Sequence, residues 1–201
     1  LNQMEKSLHS LKKSSELIRK IFLGLLVISS LFLLWTASAW LYGVFCAAEK
    51  VQVFQTASGG WSFSAGSFTV LIRQGYFAPS TPMEAMAKTT YLIESGMNLF
   101  AGLFQWTVFF IAHSLFDTVQ ENPFSIRNGS YLRRIGALLC LGAVLPEIGK
   151  TVLFSALSGG CWSFFPGGLP VFSVLAWLVL FAVSKIFDYG CVLQKEHDET
   201  L

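Results

Sequence analysis

Asp117-Thr-Val-Gln-Glu-Asn-Pro-Phe-Ser-Ile-Arg-Asn-Gly-Ser-Tyr-Leu-Arg-Arg-Ile-Gly136 is a polar stretch that separates two long apolar segments of the chain. Pro123 lacks a backbone donor and restricts Asn122 to an extended conformation, so a helix that enters this stretch is expected to end there. A helix needs about 20 apolar residues to cross a bilayer, and the segments on both sides are that long. The stretch, called the 117–136 turn below, therefore predicts a connection between two membrane crossings.

The composition of the chain is typical of a membrane protein. Hydrophobic residues make up 53% of its 201 residues, charged residues only 13%, and the mean hydropathy is +0.57. Ordinary soluble domains carry about 25% charged residues. Four crossings and their connections account for the whole length. We therefore expect an all-α membrane protein with four transmembrane helices that forms a single domain, residues 1–201.

The apolar pattern divides the chain into nine segments. We predict a cytoplasmic amphipathic helix at 4–20, crossings at 21–48, 82–120, 132–157 and 171–187, an outer β or loop segment at 49–81, a cytoplasmic turn at 121–131, an outer loop at 158–170 and a cytoplasmic tail at 188–201. Aromatic and β-branched residues between glycines favour a small extracytoplasmic β element between the first two helices. Thr81 and Pro82 have the pattern of a helix start. Ser125 or Asn128 is expected to cap the third crossing, and Pro146 to interrupt it.

The distribution of Lys and Arg predicts the orientation. Five of these residues precede the first crossing, and three more, Arg127, Arg133 and Arg134, lie in the 117–136 turn. The long connection after the first crossing carries few. Because cytoplasmic connections are enriched in Lys and Arg, we expect both termini and the turn to face the cytoplasm, with the lipid bilayer as the first partner.

Ionisable and polar residues within the apolar segments form a candidate intramembrane site. Its predicted members are Glu94, Asn98, Gln105, His113, Glu147 and Lys150. Glu147 and Lys150 are three residues apart and share a helix face, so they can form an ion pair. Charged residues at membrane depth are costly and often functional. A proton- or ligand-responsive site and a structural ion pair in a packing seam remain alternative interpretations.

The chain has no recognisable catalytic motif, and we expect neither an enzyme nor a cofactor. Its three histidines are scattered, which gives no support to a metal site. Cys46 and Cys161 both fall near the predicted outer face and form a candidate disulfide. The basic residues lie at predicted helix ends, where topology explains them, so we expect no direct binding of nucleic acid.

Two further patterns carry a resemblance to a known family. They are Asn122-Pro-Phe-Ser125 with Asn128 and Leu132-Arg-Arg-Ile-Gly136, and Ile186-Phe-x-x-Gly190-x-x-Leu193-Gln-x-Glu196-x-Asp198-x-Thr200 near the end of the chain. The carboxy-terminal half resembles the bacterial four-helix membrane protein family known as domain of unknown function 2975 (DUF 2975). The resemblance implies the bacterial cytoplasmic (inner) membrane and no established activity. Because members are often encoded beside a small helix-turn-helix regulator, it also implies a regulatory role.

The turn and the tail together suggest a cytoplasmic docking surface. Its candidate residues are Asn122, Pro123, Phe124, Asn128, Arg133, Arg134, Glu196 and Asp198. The first functional hypothesis is a non-enzymatic regulatory or sensor protein that engages a cytoplasmic partner through this surface. The alternative is a small transporter, channel or immunity-type protein that uses the buried polar residues. Simple anchoring of the arginines to lipid would also explain the turn, and a homo-oligomer is compatible with either hypothesis.

Overall fold

Four long helices and one small sheet make up the described part of the chain. The structure, a computed structural model, describes residues 2–73, 75–77, 82–121, 125–158 and 170–199; side chains are described for these except 2–13, 197 and 198. In chain order the elements are α1 (Asn2–Phe45), a 3-10 turn (Ala48–Lys50), β1 (Val51–Gln55), β2 (Trp61–Ala65), β3 (Phe68–Ile72), α2 (Ala87–Glu121), α3 (Ile126–Ser158) and α4 (Val171–Glu199).

All four helices are long and apolar enough to cross a membrane. The candidate spans are Ser14–Phe45, Ala87–Glu121, Ile126–Ser158 and Val171–Glu196. Many large apolar side chains on these helices are exposed at the protein surface, among them Leu31 and Val179. Water would make such surfaces unfavourable, whereas lipid tails would not. By length and composition, the four helices are compatible with an integral, multi-pass membrane protein.

The first helix is longer than the sequence pattern predicts. A separate amphipathic helix at 4–20 and a crossing at 21–48 were expected, but α1 is continuous from Asn2 to Phe45. The predicted boundary contains no proline or glycine, and its Leu, Lys, Arg and Ile residues continue a helix at little cost. The polar arm and the crossing are therefore parts of one helix.

The second helix begins later than predicted. It starts at Ala87 rather than at Pro82, because residues 83–86 form turns that bury Met83 beside the sheet. Thr81, the predicted cap, lies outside the described residues. The end of the helix at Glu121 agrees with the effect expected of Pro123.

The third and fourth helices each run without a break. α3 begins at Ile126, so the connection after α2 is shorter than the predicted turn at 121–131. Ser125 caps it, as its position predicts: its Oγ accepts a hydrogen bond from the Arg127 N–H at 3.3 Å. Pro146 lies inside the helix without interrupting it. The last crossing continues as helix into the tail, up to Glu199.

The predicted β element between the first two helices is present as an antiparallel sheet in the order β1-β2-β3. In its register Phe63 lies between Val53 and Val70. Phe63 and Val70 belong to its buried face. On the same unit, the Phe68 ring lies 4.9 Å from that of Trp35 and 5.8 Å from that of Tyr42, which attaches β3 to α1.

The chain divides into two compact units. The first unit comprises Leu1–Ser30, Phe104–Leu141 and Val171–Leu201, and the second unit comprises Leu31–Leu103 and Gly142–Pro170. In the first unit, the core is built from α2 and α3 residues such as Val108, Leu115 and Ile135. In the second unit, the sheet packs against helix residues that include Tyr91 and Phe154, both fully buried.

Candidate functional site

Four predicted site residues and one tyrosine form a polar cluster in the second unit: Tyr76, Glu94, Asn98, Glu147 and Lys150. Lys150 is the central donor. Its Nζ lies 2.7 Å from Glu94 Oε1, 3.1 Å from Asn98 Oδ1 and 3.8 Å from Glu147 Oε1. The predicted site residues on α2 and α3 therefore contact one another, and the predicted Glu147–Lys150 pair is present but is longer than the Glu94–Lys150 pair.

Helix periodicity and close packing bring these side chains together. Glu94 and Asn98 are four residues apart on α2, which places both on one face. Gly149, beside Lys150 on α3, has no side chain at the contact; a Cβ there would lie 2.9 Å from Met97 Cε. A glycine at this point lets the two helices approach closely, so Lys150 reaches Glu94 directly.

Tyr76 reaches the cluster from the segment between β3 and α2. Its hydroxyl donates a hydrogen bond to Glu147 Oε2 at 2.5 Å, and its ring packs edge-on against Phe154 with centroids 5.3 Å apart. Gly75 has a φ of 107°, a conformation that favours glycine and turns the chain before the tyrosine. Burial, and next the hydrogen bond to Glu147, raise the pKa of the Tyr76 phenol above its usual value. Tyr76 is therefore a neutral hydrogen-bond donor at physiological pH.

The side chains of this cluster differ in exposure, and their charges do not cancel. The side chain of Glu94 is 6% exposed and that of Lys150 10%, whereas the Glu147 side chain is 32% exposed. Within the described part of the chain, the buried Glu94 Oε2 has no hydrogen-bond partner. With both carboxyls ionised, one ammonium faces two carboxylates, so the cluster carries one uncompensated negative charge.

Gln105 and His113 do not belong to this cluster. Both lie in the first unit, and Gln105 is exposed. His113 Nδ1 lies 3.6 Å from Asp117 Oδ2, and the other oxygen of Asp117 accepts a hydrogen bond of 2.9 Å from Arg19. Along α2 they lie 11 and 19 residues beyond Glu94, about 17 Å and about 29 Å along the helix axis, so their part in the site of Glu94 stays a prediction.

The start of α3 is bound to α4 by an ion pair in the first unit. Arg133 Nη1 donates to Asp188 Oδ2 at 2.6 Å. Gly129, one turn earlier on α3, contacts the same aspartate: a Cβ there would lie 2.5 Å from Asp188 Oδ1. Arg134 is exposed. Arg133 thus has an intramolecular partner that sequence reasoning missed, while Arg134 remains accessible to another molecule.

The other docking residues have different positions. Asn128 was predicted to contribute to the docking surface, but it lies inside α3 and is 0% exposed. Glu196 is exposed on α4. Asn122, Pro123 and Phe124, and the side chain of Asp198, lie outside the described residues. Among the members of the predicted surface whose side chains are described, Arg134 and Glu196 are the exposed ones.

Cys46 is a buried free thiol that donates a hydrogen bond to the Ala47 carbonyl at 3.4 Å. Its predicted disulfide partner, Cys161, lies outside the described residues, so the bridge stays a prediction. Among the residues that the structure describes, no group of three or more His, Cys, Asp and Glu side chains could hold a metal ion.

Comparison with known proteins adds no relative to this description. No family model, no curated protein and no solved structure matches the chain. The resemblance to domain of unknown function 2975 therefore stays a prediction, and the function must be argued from the geometry.

Proposed function

We propose that the protein is a non-enzymatic sensor in a bacterial cytoplasmic membrane that engages a cytoplasmic partner through the 117–136 turn and the end of α4. The observation that carries this proposal is the Arg133–Asp188 ion pair of 2.6 Å. It joins the start of α3 to α4 and leaves Arg134 exposed beside the contact. The polar cluster of the second unit would receive the signal.

The length of α4 supports the proposal that its end forms a docking surface outside the hydrocarbon core. Its 29 residues span about 44 Å, whereas the hydrocarbon core is about 30 Å thick. About nine residues therefore extend beyond the core. Tyr189, Leu193 and Glu196, near this end, are all exposed, so the extension offers apolar and charged groups to a partner.

The exposed basic residues support cytoplasmic termini and a partner with an acidic contact patch. Arg127 and Arg134 are exposed in the turn, and cytoplasmic connections are enriched in such residues. We place both termini in the cytoplasm for this reason. A protein with an acidic contact patch suits the two arginines, and the family resemblance points to a small helix-turn-helix regulator.

Site-specific photo-crosslinking in the native membrane tests this proposal. A crosslinking amino acid at Arg134 is expected to capture a cytoplasmic protein. The same amino acid at Lys50 is the matched control and should not capture that protein, because Lys50 is an exposed basic residue of the second unit. The captured protein is then purified, and its binding is measured with Arg134→Ala. A loss of about tenfold in affinity is expected for an ion pair of about 1.4 kcal/mol. Identical products from both positions, or unchanged affinity, would refute the docking surface.

A small transporter, channel or immunity-type protein is the second candidate, because Glu94, Glu147 and Lys150 form an ionic cluster on helices apolar enough to span a membrane. Such residues often mark pathways for ions or protons. Flux through proteoliposomes that falls with Glu147→Gln would favour this function, and flux equal to that of empty liposomes would exclude it.

A further inference from the structure

Among the side chains that contact one another in the polar cluster, carboxylates outnumber ammonium groups. Lys150 contacts both Glu94 and Glu147, and one ammonium can neutralise only one carboxylate. Arg73, which precedes the Tyr76 segment, acts electrostatically on the Tyr76 hydroxyl, but it is exposed to solvent, which screens its charge. On α1, residues 31–45 contain no charged or histidine side chain.

An uncompensated carboxylate in a buried site is strongly unfavourable. Moving an ion into a low-dielectric interior costs several kcal/mol even after relaxation, on the order of the whole stability of a domain. A buried carboxyl avoids this cost by binding a proton. Glu94 Oε2 fits this role, because it is buried without a hydrogen-bond partner in the part of the chain that the structure describes.

We propose that the polar cluster binds one exchangeable proton, shared between Glu94 and Glu147, and that this proton is the signal of the sensor. The identity of the signal rests on the proposed function, but proton binding itself rests only on the geometry of the cluster. Two carboxyls that share one ammonium titrate as a coupled group. The proton comes from water and adds to a carboxylate oxygen to form a carboxylic acid, and no other bond changes. Glu147 is the more exposed of the two carboxyls.

Tyr76 couples this proton to the segment outside the helices. Its hydroxyl donates to Glu147 Oε2. A hydrogen bond to an ionised carboxylate is about twice as strong as one between neutral groups. When Glu147 holds the proton, the bond to Tyr76 loses this charge assistance, and the segment 75–77 is held less firmly. Acidification therefore loosens the connection between β3 and α2.

Infrared difference spectroscopy of the purified full chain tests proton binding. Carboxylic acids and carboxylates absorb at different frequencies, and exposed acids are ionised at about pH 7. The wild type is expected to show the band of one protonated carboxyl at this pH. Glu94→Gln and Glu147→Gln should each abolish it, since the remaining carboxylate pairs with Lys150. Glu49→Gln, an exposed control, should leave it unchanged.

The absence of a protonated carboxyl at about pH 7, or a band that survives both glutamine variants, would overturn the proposal. Both variants balance the charge of the cluster and are expected to fold. Lys150→Met extends the test, since two carboxyls without an ammonium should both bind protons and double the band.

Hydrogen–deuterium exchange of the segment around Tyr76 tests the coupling. At one fixed pH, Glu147→Gln and Tyr76→Phe are expected to exchange faster than the wild type at residues 75–77, because each removes the charge-assisted bond. Glu94→Gln keeps that bond and should not. Equal protection in Glu147→Gln and the wild type would overturn the coupling. Neither measurement needs a partner, so a failed crosslink at Arg134 would refute docking while leaving proton binding intact.

Discussion

Replacing Lys150 by methionine should destabilise the protein by an amount that depends on pH. Lys150 is buried and lies 2.7 Å from Glu94 Oε1. Without its ammonium, the carboxyl that it neutralised must take a proton. An ordinary glutamic acid ionises near pH 4.3, so protonation at pH 7 costs about 3.7 kcal/mol, or about 1.36 kcal/mol for each pH unit. The expected loss is therefore about 4 kcal/mol at pH 7 and about 1 kcal/mol at pH 5.

The measurement is reversible unfolding in mixed micelles, with an increasing fraction of denaturing detergent, at several pH values. Lys20→Met is the matched control, because Lys20 is an exposed lysine whose pair with Glu16 lies in solvent and should contribute little to stability. The double variant Lys150→Met with Glu94→Gln should recover most of the loss. A loss below about 1 kcal/mol at pH 7, or a loss that does not change with pH, would show that the buried charges are not coupled.

Three further predictions concern single contacts. Gly129→Ala should destabilise the protein by about 1–3 kcal/mol in thermal unfolding, since the new Cβ would lie 2.5 Å from Asp188 Oδ1. Gly190→Ala is the control and should not destabilise the protein, because a Cβ there has nothing within 4 Å. Equal effects of the two substitutions would contradict the close packing at Gly129. Ser125→Ala should cost about 1 kcal/mol through loss of the α3 cap, and unchanged stability would show that the cap does not contribute. Because the pKa of the Tyr76 phenol is raised, its contribution to the free energy of unfolding is complete below about pH 10 and is lost as the pH rises above that value. Tyr76→Phe should remove this part of the loss of stability at alkaline pH. An unchanged dependence of stability on alkaline pH would contradict the prediction.

The sequence predicted the membrane class and, by simple periodicity, four of the five members of the polar cluster. Glu147 and Lys150 are three residues apart, and Glu94 and Asn98 are four apart, so each pair had to share a helix face. The contact between the pairs also needs Gly149 at the crossing, which local spacing does not reveal. Periodicity alone therefore predicted the two faces but not the 2.7 Å bond that joins them.

The other functional contacts join segments that are distant in sequence, so local patterns do not reveal them. Tyr76 contributes because a glycine turn and the sheet direct it to Glu147, and the local sequence does not distinguish it from Phe77. Asp188 meets Arg133 through the register of two helices. Asn128 was assigned to the surface because a polar side chain near a turn is usually exposed, whereas here it is fully buried.

The attachment of Phe68 to Trp35 and Tyr42 has a consequence for the position of the sheet. The two aromatic residues are seven positions apart on α1, about 10 Å along its axis, and such side chains prefer the boundary between lipid tails and headgroups. Helices adapt to longer lipid chains by tilting or by changing the local thickness of the bilayer. Because β3 is packed on these residues, we expect the depth of the sheet to follow lipid chain length, so that membrane composition affects the same unit that holds the polar cluster.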